Sequence, residues 1–427
     1  MPATLTDENV PHYASGSPAP RRWSWIADKE LGREFWIFAV AALCYEFGVA
    51  MFLFLYNLFL LDIGFNERQM GLIAGAMTFG GVVGTIPMGL LAQRAGLRPV
   101  LLGGFLFTPA VLVLRALIAG EQIQIALAFL SGLCICFWAV CFSPSVAKLT
   151  TEKNRTFAFS FLLSVGIGVS GLAGLVGGFL PGWIATTSPS MQPAGAKRSV
   201  LLLCCAIVVL GTLPASRLKL HVAPETRKRL WSFDPFLFRF LPAMALWSLA
   251  AAAFTPFATV YLSRYAHVSL ANIGIIHSIA QLAQIFAILM APAVFRRFGL
   301  VMGIMYTQIV TAIAFAGLAA AHRLPYIIIF FLCFTASHWM GGPGIYSLLM
   351  NRVAETKRSN ASAATCLVTS LCQALASAVS GAAYVRFGYP AVLSTVAGMA
   401  LFAALLFWGL MRDRSNSFAA VSASAEY

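Results

Sequence analysis

Gly89-Leu-Leu-Ala-Gln-Arg-Ala-Gly-Leu-Arg-Pro99 lies between two long apolar runs. A second copy of its core, Phe295-Arg-Arg-Phe-Gly-Leu300, follows 203 residues later, so that Arg94 matches Arg297 and Gly96 matches Gly299. The same offset carries Gly71 onto Gly274, Glu152 onto Glu355, Arg155 onto Arg358, Thr156 onto Ser359 and Gly178 onto Gly381. A period close to half the chain length predicts two related halves, each a version of the same unit.

The composition says what kind of unit. Of the 427 residues, 59% are hydrophobic and only 10% charged, against about 25% charged in soluble domains. That excludes an ordinary soluble protein. The net charge of +14 is spread over short loops and forms no single basic patch, so nucleic acid is not an expected partner. Residues 1–35 are polar and lack an apolar stretch with a small-residue cleavage site. They are expected to be a cytoplasmic tail without a signal peptide. All the cysteines except Cys366 lie inside apolar runs without metal-ligand or disulfide spacing. Neither a metal nor another cofactor is expected.

A helix needs roughly 20 apolar residues to cross the ~30 Å core of a bilayer. Such segments fall at 36–61, 69–92, 99–118, 123–147, 158–182, 199–216, 236–263, 271–294, 299–320, 325–350, 360–385 and 389–411. The expected fold is therefore all-α and integral to the membrane, with twelve spans in two six-helix bundles, 36–216 and 236–412. A basic linker at 217–235 joins the bundles, and 413–427 form a second tail. With both tails on one side, that side carries 22 Lys and Arg residues and the other 7, Arg115 included. The positive-inside rule then predicts cytoplasmic termini in a plasma (inner) membrane. Carriers built from internal repeats hold their substrate where the repeats meet.

Twelve helices in two halves, with Gly89-x-x-x-Gln93-Arg94-x-Gly96-x-Arg98 after the second helix, resemble the major facilitator superfamily over roughly residues 36–412. The resemblance implies a secondary transporter, monomeric and not an enzyme, moving a small molecule by alternating access. The family pattern has Asp where this chain has Gln93; there the acid helps hold the halves together in the outward-open state. Gly89 and Gly96 permit close helix approach and a tight reversal. Arg94 with Glu152, and Arg297 with Glu355, are expected to form ion pairs that break and re-form as the halves rock, with Arg98, Arg155, Gly299 and Arg358 completing the two copies. Gly171-Leu-Ala-Gly174-Leu-Val-Gly177-Gly178 in the fifth helix resembles, more weakly, the glycine-rich motif of the superfamily's proton-coupled drug antiporters. It also reads as plain close packing.

Glu46 is the only acidic residue deep in any apolar segment. It stands ten residues into the first span, about 15 Å along the axis and hence near the midplane. A carboxylate there costs about 3 kcal/mol on insertion scales, and taking up a proton removes that cost. Such a group can load a proton on one side and release it on the other. Asn57 shares its face of the helix but lies about 16 Å away, too far to hold one sodium ion jointly. A permanently protonated, hydrogen-bonded Glu46 is the structural alternative.

By the family resemblance the central cavity would be lined by Trp138, Trp247, Tyr261, His338 and Trp339. Spacing alone places His277, Gln281 and Gln284 on one helix face and Thr365, Thr369, Gln373 and Ser377 on another; such stripes also serve simply to glue helices together. Arg115 and Arg264 lie near predicted helix ends, where snorkelling explains them. Without a central Arg pair, the cavity is expected to suit a neutral, amphipathic or cationic organic molecule, which favours export. Uptake by proton symport and a non-transporting receptor are the competing readings.

Overall fold

The computed structural model describes residues 31–187, 190–219, 235–354 and 357–412, without the side chains of residues 152, 153, 156 and 359. Among them every regular element is helical. Ten elements are α1 (Arg33–Asp62), α2 (Glu67–Ala95), α3 (Leu97–Leu117), α4 (Glu121–Leu149), α5 (Glu152–Thr187), α6 (Pro193–Leu210), α7 (Pro235–Tyr265), α8 (Leu270–Phe298), α9 (Leu300–Ala320) and α10 (Leu324–Arg352). The last, α11, runs over Arg358–Arg412. Eleven segments of the described residues are long and apolar enough to span a membrane. Large apolar side chains such as Ile86, Trp183, Phe238 and Leu289 are exposed on the outside. In water such a surface would aggregate; in lipid it is the matched solvent.

The two segments expected at 360–385 and 389–411 form one helical element, interrupted at Gly388 (φ 76°, ψ 168°). A straight helix of this length would measure about 80 Å, far more than a bilayer is thick. Glycine tolerates the left-handed φ, and Pro390 starts the following turn where a missing N–H costs nothing. No loop is needed. Gly96 (φ 94°) and Gly299 (φ 76°) make the same kind of one-residue joint between α2 and α3 and between α8 and α9. These are the glycines of the repeated motif.

α7 is broken. After Ala252 the helix gives way to a 3-10 turn, Thr255–Phe257, then resumes as an α turn and a π turn ending at Tyr265. Pro256 supplies no N–H and its ring cannot sit in a helix interior without displacing the preceding turn. The expected span 236–263 gave no place to this interruption, although Thr255-Pro256 signals it.

Let the near side be the one at which α1 begins. On the far side the early and late helices meet with almost no side chain between them. A Cβ on Gly71 of α2 would lie 3.0 Å from Gly381 Cα of α11, and one on Gly178 of α5 would lie 3.0 Å from Gly274 Cα of α8. The 203-residue offset exchanges these two contacts. Nearer the other end, Gly166 of α5 borders open space in the cavity wall, where an added Cβ would meet nothing within 4 Å.

Candidate functional site

The far-side contacts and the open space beyond them leave a cavity of ≈ 960 Å³ between the early and late helices. Its walls come from α1, α2, α4, α5, α7, α8 and α10, with Arg115 from α3. Its polar lining includes Glu46, Asn57, Ser170, His277, Gln281, Gln284, Thr335 and His338.

Glu46 is part-buried and accepts a hydrogen bond from Trp138 Nε1 at 2.8 Å. The Trp138 ring is fixed from behind, stacking on Tyr45 at 4.7 Å and on Phe38 at 5.8 Å. Tyr45 in turn bonds Thr108 of α3 at 3.3 Å. The donor to Glu46 is therefore held by packing and points at one place. No cation lies within 4.0 Å of Glu46 among the described residues. The carboxyl can exchange its proton without breaking an ion pair.

Asn57, eleven residues further along α1, does something different. Its Nδ2 donates to Pro256 O at 2.7 Å, a carbonyl at the break in α7. The broken helix thus supplies a backbone acceptor across the midline, as interrupted helices at carrier sites do. Just beyond, Arg264 Nη1 bonds both carboxylate oxygens of Glu67, at 2.8 and 2.9 Å. Tyr389 Oη donates to the same Glu67 at 3.2 Å. Glu67 begins α2, whereas Arg264 and Tyr389 come from α7 and α11. This cluster closes the far side, and the glycine contacts above continue it inward.

On the opposite wall, His277 packs its ring 5.2 Å from Phe54, and Gln281 Nε2 donates to Ser170 Oγ at 2.7 Å. Ser278 Oγ donates to Gly171 O at 2.6 Å. The glycine run of α5 therefore serves as the close face against α8. His338 is stacked between Trp247 (5.7 Å) and Phe334 (5.8 Å), with Trp339 edge-on. Its Nδ1 is buried without a hydrogen-bond partner. Trp339 stands exposed in the lining.

Three residues expected at the cavity are not part of its wall. Trp247 lies behind His338. Tyr261 is fully buried and donates to Leu318 O at 2.9 Å, because the π turn rotates it towards α9. Gln373 is exposed on α11, whose hydroxyl neighbours Thr365, Thr369 and Ser377 each donate to a carbonyl of their own helix. That stripe is locally satisfied and needs no ligand.

The expectation for the two arginines is corrected. Arg264, half-exposed at its helix end, does more than reach for solvent: it pairs with Glu67 across the far side. Arg115 turns inward and is 1% exposed. Its Nη1 donates to Ser131 Oγ at 3.0 Å, and its guanidinium lies 4.2 Å from the centre of the Tyr56 ring. Sequence position alone gave the Cα depth, near a helix end, and not the direction of a long side chain.

In the repeated motif, Arg98 donates to Ser216 O at 2.6 Å, tying α3 to the end of the first six spans. Gln93, Arg94 and Arg297 are exposed. Arg155 donates to Ala147 O at 3.4 Å and Arg358 to Met350 O at 3.0 Å, the same contact eight residues back in each copy. The expected partners Glu152 and Glu355 fall outside what is described, the former by its side chain and the latter entirely.

A sequence profile of the Major Facilitator Superfamily matches residues 38–377. The chain belongs to that superfamily. As a superfamily member it is a multi-pass membrane transporter and not an enzyme. Solved superfamily-type folds superpose over most of it. The nucleoside transporter NupG aligns with a TM-score of 0.74 at 13% identity, covering 90% of this chain and 100% of that one. A bacterial homolog of the human lysosomal transporter Spinster, inward-facing and unoccupied, aligns at 0.71 and 12%, covering 89% and 98%. A D-xylose–proton symporter aligns at 0.69 and 15%, covering 88% and 96%. At these identities the likeness is one of fold. No curated protein sequence matches the chain.

Proposed function

We propose that this superfamily member is a proton-coupled secondary carrier, an antiporter that exports a small organic solute by alternating access. In this reading α11 counts as two spans divided at Gly388. The bundle then has twelve spans in two halves, 36–216 and 236–412. The reciprocal contacts Gly71–Gly381 and Gly274–Gly178 support that division, as do the matched Arg155 and Arg358 bonds. The distribution of Lys and Arg puts the near side in the cytoplasm of a plasma (inner) membrane, so the conformation described faces inward. A single chain provides both halves of the cavity, and the carrier works as a monomer.

The observation that carries the coupling is Glu46. Among the described residues it is a lone carboxyl in the cavity wall, at mid-depth, with one N–H donor and no cation within 4.0 Å to neutralise it. A neutral carboxyl still accepts the Trp138 hydrogen bond through its carbonyl oxygen, so both protonation states fit the same cage. Proton uptake removes the cost of carrying the charge through the membrane. The carrier therefore returns most readily with Glu46 protonated or with substrate bound. Nucleosides and D-xylose, the solutes named for two of the similar folds, support the size class of small organic molecules. His277, Gln281, His338 and Trp339 supply the hydrogen bonds and aromatic faces for it, and Asn57 and the two loop motifs govern closure.

The test is solute flux in everted vesicles under an imposed pH gradient, with wild-type and Glu46→Gln protein at matched expression. Export by exchange predicts gradient-driven accumulation inside everted vesicles, and Glu46→Gln should abolish uphill movement while leaving exchange down a solute gradient. Accumulation of solute with protons in right-side-out vesicles would reverse the direction to uptake. Undiminished uphill transport by the Gln variant would remove Glu46 from the mechanism.

A further inference from the structure

Among the described residues Arg115 is the one buried cation of the cavity wall, and nothing in the reading above uses it. Its Cα lies in the last turn of α3, on the far side. Its guanidinium instead reaches Ser131 of α4 and Met77 Sδ of α2, at 3.0 and 3.6 Å. Both partners stand ten residues in from the far ends of their helices, about 15 Å deep. The side chain has turned away from the polar interface that its length would let it reach.

What it finds there does not balance its charge. Arginine stays protonated in proteins and offers five N–H donors. Here one nitrogen meets a hydroxyl and a weakly accepting thioether, the plane is covered by the Tyr56 ring at 4.2 Å, and Nε has no acceptor. No carboxylate lies within 4.0 Å of it among the described residues. A buried charge without a counter-ion is strongly disfavoured unless something else supplies the missing anion. Glu46 does not: Tyr56, which Arg115 covers, is ten residues further along α1, about 15 Å from it. The placement is also built rather than loose. Gln124 donates to the Arg115 carbonyl at 2.8 Å and accepts from Tyr56 Oη, so one buried amide positions both the arginine and the ring over it.

We propose that Arg115 is the binding site for an anionic group of the solute, a carboxylate, sulfonate or phosphate on an organic body that fills the aromatic part of the cavity. The inference rests on the carrier reading above and narrows its solute class, replacing the neutral or cationic solute expected from sequence. The site lies at the closed end of the cavity, below the Asn57–Pro256 contact. An anion held there sits against the helices that must part when the far side opens. Proton on Glu46 and anion on Arg115 are then separate occupants of one cavity.

The experiment is thermal unfolding of the purified full-length protein with matched pairs of probes: benzoate and benzamide, indole-3-acetate and indole-3-acetamide, phenyl phosphate and phenol. Ligands that bind the folded state raise the melting temperature according to their affinity. For at least one pair the anion should bind wild-type protein at least about tenfold more tightly than its neutral partner, the usual scale for a hydrogen bond to a charged group. Arg115→Gln should bring that ratio close to one. Arg115→Lys keeps the cation but loses the fork, and should lower the ratio several-fold while leaving it above one. The binding ratio is read at equilibrium with no pH gradient, whereas the proton assignment is read by the flux of Glu46→Gln, so failure here is separable from failure of the proton assignment. Preference for the anion in no pair, or a preference undiminished in both Arg115 variants, overturns the proposal.

Discussion

Removing Arg264 should unlock the far side. Its Nη1 bonds both oxygens of Glu67, and the exposures of the two side chains are 54% and 7%. An ion pair exposed at both ends contributes about 0.2–1 kcal/mol; a hydrogen bond to a buried charge contributes about 1.5–3. With one end of each kind, a cost of about 1–2 kcal/mol to the closed state is the reasoned middle, a factor of roughly 5–30 in the population ratio. Arg264→Ala leaves the Glu67 carboxylate with only Tyr389, so the effect should sit in the upper part of that range. Thr259 lines the cavity below the contact. A cysteine placed there, with the exposed Cys366 changed to Ser, reports opening through its labelling by a membrane-impermeant thiol reagent. With the far-open state minor in the parent, labelling from the far side should rise 5–30-fold in Arg264→Ala and in Glu67→Gln, with only a small fall from the near side. The two substitutions together should do no more than the larger one alone, because they break the same interaction. Far-side labelling within twofold of the parent, or additive effects in the double variant, would refute the reasoning.

Gly71→Val should act in the same direction, since its Cβ would lie 3.0 Å from Gly381 Cα and closer still to Ser377 O. Overpacking of that kind costs about 1–3 kcal/mol, and the thiol assay reads it. Trp138→Phe keeps an aromatic ring against Tyr45 but removes the donor to Glu46. The pH profile of flux should move at unchanged expression, and a superimposable profile rejects that contact. Asn57→Ala loses the bond to Pro256 O and should weaken far-side closure by about 0.5–1.5 kcal/mol, a smaller rise in labelling than Arg264→Ala gives. Gly299→Ala meets no neighbour but holds φ at 76°. Its cost is conformational alone, about 1–3 kcal/mol for a side chain in a region essentially reserved for glycine, and should appear as a lower melting temperature.

The reading of the site shows where sequence arguments run out. Glu46 was legible because a single acid in an apolar run is conspicuous whatever surrounds it. Its donor, Trp138, was expected in the lining only from family resemblance; the hydrogen bond between them joins α1 to α4 and has no sequence signature. Glu67 opens α2 beside other polar residues, and Tyr389 directly follows the break at Gly388, so neither stood out. Thr255-Pro256 did carry a local signal for the break in α7, yet the carbonyl it presents to Asn57 is a matter of three dimensions. Arg115 was misread for a related reason. A seven-atom side chain near a helix end can point to either solvent, and only its neighbours decide.

The sequence alone determined the solvent and the apolar helices, and it carries the expectation of a doubled chain and of the side on which the loops lie. Each depends on composition, on apolar run length or on spacing, and those are written residue by residue along the chain. The tertiary structure alone decided which side is closed, which glycines touch, and where the buried charges point. These depend on contacts between segments far apart in the chain, such as Glu67 with Arg264 and Glu46 with Trp138. A linear pattern fixes the face a residue occupies on its own helix, but not which helix that face will meet.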